Sequence, residues 1–264
     1  MSIVSGMRRA LFLTLAALAW AGSQQSGHAQ TAKPALGGQL ERTYLQWRQA
    51  MVTKNLAAWQ GVTARHRQIA IKNRTYSERK PLAQALFNSP VAPPSLQGLR
   101  AMKLHVKGAT ANLIYFGKVN FEVGGQPADN LLVLSFAQEA GRWKYDTADF
   151  VNLAALPDVR KQLLAGNTKG LDAPEFQPAG RVKFPPLQIN APVKYIAKVY
   201  AYCPGREVNA TVNLASKHVF QNEQSAEIVI GGAKDGRNTI SFTTKWLPGA
   251  EEVEPMTLRV YLLS

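Results

Sequence analysis

The run Leu131-Leu132-Val133-Leu134-Ser135-Phe136-Ala137, the turn Glu139-Ala140-Gly141 and the run Trp143-Lys144-Tyr145-Asp146-Thr147-Ala148-Asp149-Phe150 decide the fold of the first half of the chain. Two stretches rich in β-branched and aromatic residues, separated by a short glycine turn, predict a pair of antiparallel strands. Upstream, Ala101 to Val106 and Ala111 to Phe116, joined by Lys107-Gly108, read as two more, and a longer arm around Gly124-Gly125 leads into the third. In Ala111 to Phe116, Leu113 and Tyr115 fall on one face while Ile114 and Phe116 fall on the other. Both faces therefore want cover: helices can take one, and a second subunit, the following domain or a ligand can take the other.

The helices come first. From Gln39 to about Lys54, the positions Leu40, Tyr44, Leu45, Trp47, Met51 and Val52 recur at helical spacing. Asn55 to Trp59 is consistent with a second short helix, Arg65 to Lys72 with a third, and Ser77 with Glu78 and Pro81 opens another that runs through Phe87. Helices followed by a meander make an α+β domain. Residues 156–185 are rich in Pro and Gly and read as an interdomain linker, with one short helix near Asp158 to Leu164. After Pro186 the strand pattern returns in Val193 to Tyr202, Glu207 to Leu214, Ala226 to Ile230, Thr239 to Lys245 and Thr257 to Leu263, which predicts a small all-β sandwich over residues 186–264.

Arg8 and Arg9 precede an apolar run from Ala10 to Ala21, and Gly27-His28-Ala29 is a small-residue exit. That pattern is a secretory signal peptide over residues 1–29, with cleavage expected after Ala29 and a tether at residues 30–37. The run falls short of the roughly 20 residues that a membrane-spanning helix needs, so no transmembrane segment is expected in the mature chain. A periplasmic or extracellular protein follows. The single cysteine, Cys203, excludes an intramolecular disulfide, so stability must come from packing.

The formal net charge is +14, and its excess is local: residues 41–80 hold nine Lys or Arg against Glu41 and Glu78. Outside the cytoplasm the available anions are headgroups, acidic polysaccharide and acidic proteins, so nucleic acid is not an expected partner. A solvated helical face explains the same charges without any partner.

Tyr44-Leu45-Gln46-Trp47, Asn55-Leu56-Ala57-Ala58-Trp59, the strand Leu131 to Phe136 and Gly141-Arg142-Trp143-Lys144-Tyr145-Asp146 together give the first domain a resemblance to the NTF2-like (SnoaL-like) superfamily over about residues 38–155. The resemblance implies a cone of helices cupped by a curved antiparallel sheet, a homodimer, and either a binding protein or an isomerase or cyclase with an acid or His in the cone. Val208 to Asn213, Gly231-Gly232 and Gly236 to Ile240 make the second domain similar to Ig-like and C2-like sandwiches of exported bacterial proteins.

Candidate chemistry is sparse. If Trp143, Tyr145, Thr147 and Asp149 share a strand face, Asp149 enters the cone beside two aromatics as a general acid or base. His66 sits between Arg65 and Arg67, and His105 lies in a strand; neither has a partner at a spacing that suggests nucleophilic chemistry. The chain has no His-x-x-x-His, no Cys pair and no calcium loop, so neither a metal nor another cofactor is expected. Tyr44, Trp47, Trp59, Tyr115 and Tyr145 are candidate ligand-binding surfaces, with core packing as the alternative. Arg65, Arg67, Arg74, Arg79 and Lys80 are a candidate anion-binding rim, provided that about half of them project together. The reading is an exported, non-catalytic protein that binds a small molecule, an envelope protein or an anionic polymer. Two alternatives stand beside it: a cavity enzyme of isomerase or cyclase type, and a carbohydrate-binding protein using Tyr200, Tyr202 and Trp246 as stacking platforms.

Overall fold

A computed structural model describes residues 32–88, 93–119, 128–250 and 255–263, with side chains from residue 35. Residues 1–29, expected to be an export leader, and the arm around Gly124-Gly125 lie outside the described residues. In chain order the helices are α1 (Ala32–Val52), α2 (Leu56–Val62), α3 (Arg65–Ser77), α4 (Leu82–Phe87) and α5 (Pro157–Leu164). The strands are β1 (Arg100–Lys107), β2 (Thr110–Lys118), β3 (Asp129–Glu139), β4 (Arg142–Asn152), β5 (Ile196–Tyr202), β6 (Arg206–Val212), β7 (Ser216–Gln221), β8 (Gln224–Ile228), β9 (Ile240–Trp246) and β10 (Thr257–Leu263). The protein is therefore mixed α+β with three antiparallel sheets. Packing groups the chain into two units, residues 1–64 with 89–182 and residues 65–88 with 183–264.

In the first unit, α1 begins at Ala32, inside the stretch expected to be a tether, and buries Leu40 and Tyr44 one turn apart. It ends where Lys54 turns left-handed, and Asn55 then starts α2 by accepting the Ala58 N–H on its side-chain oxygen at 3.0 Å. Strands β1 to β4 form a meander in sequential order. One face of it packs Leu113, Tyr115, Leu132, Leu134, Phe136 and Tyr145 against Leu40 and Tyr44 of α1. The other face, with Ile114, Phe116, Leu131 and Val133, is covered from within the unit by Leu153, Leu163, Leu171 and Phe176. The Pro- and Gly-rich stretch thus supplies the cover for which a second subunit, the following domain or a ligand was expected, and the sheet itself no longer calls for a dimer.

Hydrogen bonds anchor that cover. His105 Nε2 lies 2.7 Å from the Leu171 carbonyl, the Asn112 amide donates to the Phe176 carbonyl at 3.0 Å, and the Gly180 N–H donates to Thr110 Oγ1 at 2.8 Å. At the β1–β2 turn Gly108 has φ +51°, and any side chain there would collide with the Gly180 carbonyl.

The second unit holds two three-stranded sheets, ordered β10-β5-β8 and β7-β6-β9. Ala197, Val199 and Ala201 of β5 share one buried cluster with Val208, Ala210 and Val212 of β6, together with Cys203, Phe220 and Val229. Helix α3 joins this unit through a polar seam rather than an apolar stripe. Its buried Asn73 donates to the Leu187 carbonyl at 2.6 Å and accepts the Ile189 N–H at 2.8 Å, and the Ser77 hydroxyl accepts the Gly231 N–H at 2.9 Å.

Candidate functional site

Three of the five aromatic candidates meet. The Tyr44 and Trp47 rings stack at 5.7 Å, Trp47 and Tyr145 lie 4.1 Å apart and Tyr44 and Tyr145 5.5 Å apart, with Phe136 edge-on to Tyr145 at 6.0 Å. Tyr44, Trp59, Tyr115 and Tyr145 are buried and Trp47 is half-buried, and all of these except Trp59, which lies on α2, fill the space between α1 and the sheet. The Tyr44 hydroxyl donates to the Pro94 carbonyl at 2.7 Å, and the Tyr115 hydroxyl donates to Glu41 Oε2 at 2.9 Å. Burial pushes the Tyr44 phenol well above its ordinary value, against a small opposing pull from Arg48. Burial also raises Tyr115, and the hydrogen bond to Glu41 and its charge raise it further. Both remain neutral donors at physiological pH. Glu41, at the α1 side of this cluster, is a carboxylate that sequence reasoning passed over as one of two acids in a basic stretch.

Asp149 does not enter the cluster. Phe136 pairs with Tyr145 and Ser135 with Thr147, so Asp146 is the extra residue of a bulge between them. Beyond the bulge the alternation is shifted by one, and Ala148 and Phe150 pack on the Tyr145 face. Asp149, opposite Val133, lies on the other face and is exposed.

The five basic residues do not all gather on one side, although Arg74 and Lys80 meet at Glu78. At about 100° per residue, Arg67 and Arg74 share a face of α3 while Arg65 projects from the opposite side. Arg74 and Lys80 both hold Glu78, at 3.2 and 2.6 Å. Burial alone would raise the Glu78 carboxyl, but hydrogen bonds and charges from Lys80 and Arg74 outweigh it and hold the group below its ordinary value. Arg79 is exposed just past the helix, in a left-handed conformation.

One constellation escaped the sequence reading. Ser216 Oγ is 2.9 Å from His218 Nε2, and His218 Nδ1 is 2.8 Å from Glu227 Oε2. The order is that of a hydrolase relay. Ser216, however, is 2% exposed and its hydroxyl already accepts the Ile230 N–H at 2.8 Å, so no substrate carbonyl can reach it. The relay instead ties β7 to β8 and closes one edge between the two sheets.

The opposite edge is open. Ile240 and Phe242 of β9 pair with Val212 and Ala210, and Val260 and Leu262 of β10 pair with Val199 and Ala197, which puts all four on the inward rows. They are nevertheless 40%, 52%, 41% and 65% exposed, respectively. Nearby aromatics divide: Arg206 covers the Trp246 ring at 3.8 Å, whereas Tyr261 stands edge-on to Tyr200 at 6.1 Å on the outer face and is exposed. Cys203 is buried.

In the first unit a pocket of about 310 Å³ beside Leu153 is spanned by the Arg160–Asp129 ion pair at 2.5 Å. Among the described residues no three His, Cys, Asp or Glu side chains converge as metal ligands, and no helix is long and apolar enough to cross a membrane. No protein family, curated protein or solved structure matches the chain.

Proposed function

We propose that this is an exported, non-catalytic partner-binding protein of the bacterial envelope, in which an NTF2-like domain acts as a scaffold and a β-sandwich carries the contact surface. The observation that carries this reading is the open edge, where Ile240, Phe242, Val260 and Leu262 keep inward-row apolar side chains in water. Supporting it, the centre of the first unit is occupied by its own Tyr44, Trp47 and Tyr145 rings. Native mass spectrometry of the mature chain purified from its periplasmic fraction tests the scaffold half. The protein is expected at its apo mass, and a stoichiometric small molecule, located by crystallography among these aromatics, would refute it.

A second reading draws on Glu41. A carboxylate hydrogen-bonded to a buried tyrosine beside an aromatic cluster is equipped for proton transfer next to a carbonyl, as an NTF2-like isomerase requires. Deuterium exchange at the α-carbon of cyclic ketones in D₂O, present in the wild type and lost in Glu41→Gln, would establish that reading in place of the first.

A further inference from the structure

We propose that the open edge of the second unit is an isologous interface between two copies of this chain, in which β10 pairs antiparallel with β10 of the second copy about Val260. The inference rests on the partner-binding reading and names the partner. Edge strands of monomeric proteins are ordinarily blunted by an inward-pointing charge, a proline or a bulge. The inward row of β9 is Ile240, Phe242, Thr244 and Trp246, and that of β10 is Leu258, Val260 and Leu262; neither contains a charge or proline, and both strands pair without a register shift. Leu258 packs against the buried cluster, so the row is continuous with the core and runs out of it into water. At the other edge His218 and Glu227 already bridge the two sheets, which leaves β9 and β10 as the side that accepts a strand.

The sequence of β10 is complementary to itself. Antiparallel pairing centred on Val260 sets Leu258 against Leu262 of the partner subunit and Val260 against Val260 of the partner subunit on the inward face. On the outer face Arg259 meets Tyr261 of the partner subunit, twice by symmetry, an arrangement that suits a guanidinium against a phenol ring. No charge faces its own copy. A two-fold axis through one residue closes the assembly at two subunits and converts two three-stranded sheets into one of six strands. With a strong excess of Lys and Arg over Asp and Glu on each chain, association should strengthen as salt screens repulsion.

The register makes the test specific, because the only native cysteine, Cys203, is buried. Residues directly opposite each other in an antiparallel pair have Cα atoms about 4.5–5.5 Å apart, within disulfide range. In the full mature chain, Val260→Cys is therefore expected to oxidise to a covalent dimer. Leu258→Cys alone should not, while a mixture of Leu258→Cys with Leu262→Cys should. Sedimentation velocity in 50 and 500 mM salt is expected to show a dimer that tightens with salt and weakens at least tenfold in Leu262→Lys, a substitution at an exposed position. A wild type that stays monomeric up to 100 µM, or a dimer in which the three cysteine positions cross-link equally, overturns the proposal. Adding a synthetic peptide of residues 256–263 separates the two readings. A monomeric chain whose β10 amides gain hydrogen-exchange protection from the peptide retains the strand-accepting edge and loses only self-pairing; a monomer that ignores the peptide loses both.

Discussion

Tyr145 and Asp149 face opposite sides of β4, although they are four positions apart and an unbroken strand would place them on the same side. The bulge at Asp146 is the cause, and it assigns them opposite sensitivities. Asp149→Asn, at an exposed position, is expected to change unfolding free energy by no more than about 1 kcal/mol, whereas Tyr145→Ala, which empties the centre of the aromatic cluster, should cost about 3–5 kcal/mol. Urea titration of both variants measures the contrast.

Tyr44 and Tyr115 make stability fall in alkali. Below about pH 10 both phenols are protonated in the folded and the unfolded chain, and their full contribution is present. As pH rises past that value the unfolded chain releases protons that the folded chain keeps, so the equilibrium moves toward unfolding. Denaturation midpoints measured from pH 8 to 11 should decline above pH 10 in the wild type and less steeply in Tyr44→Phe/Tyr115→Phe.

Leu171 discriminates between a linker and a structural cover. It sits among prolines and glycines yet is 1% exposed against the sheet. Leu171→Ala is expected to destabilise by about 2–5 kcal/mol, as a buried leucine does. A thermal midpoint unchanged within a degree would mean that the segment does not hold the sheet.

Asn73 holds two backbone groups with one side chain. Asn73→Ala leaves the Leu187 carbonyl and the Ile189 N–H without that partner, at a cost of about 2–3 kcal/mol. Hydrogen exchange should show loss of protection at Ile189 while β1 to β4 are unaffected, because those strands belong to the other unit.

How legible this was from sequence depends on which force shaped each part. Strands β2 and β3 announced themselves because both of their faces are apolar, and β1 and β4 followed from the glycine turns that join them to that pair. Strand β7 alternates as regularly as any, buried and exposed in turn, but its inward residues include Ser216 and His218, and a search for apolar alternation passes over them. The Asp146 bulge leaves no compositional mark, so the parity that carried Asp149 into the expected cone was off by one. Leu153, Leu163, Leu171 and Phe176 act together on one sheet face from positions too scattered to form a period. Tyr44, Trp47 and Tyr145 were recognisable as important and do come together, but a ring suited to stacking on a ligand is equally suited to stacking on its neighbours.

The allegiance of α3 and α4 sets a timetable for synthesis. These helices emerge from the ribosome early, yet the residues that receive Asn73 and Ser77 lie in 183–264. At about 5–20 residues per second, the intervening hundred or so residues hold the segment waiting for roughly 5–20 s. During that interval the polar seam of α3, with Asn73, Thr75 and Ser77, can be satisfied by water, which an apolar stripe could not be, so that face of the nascent helix offers little for other chains to stick to.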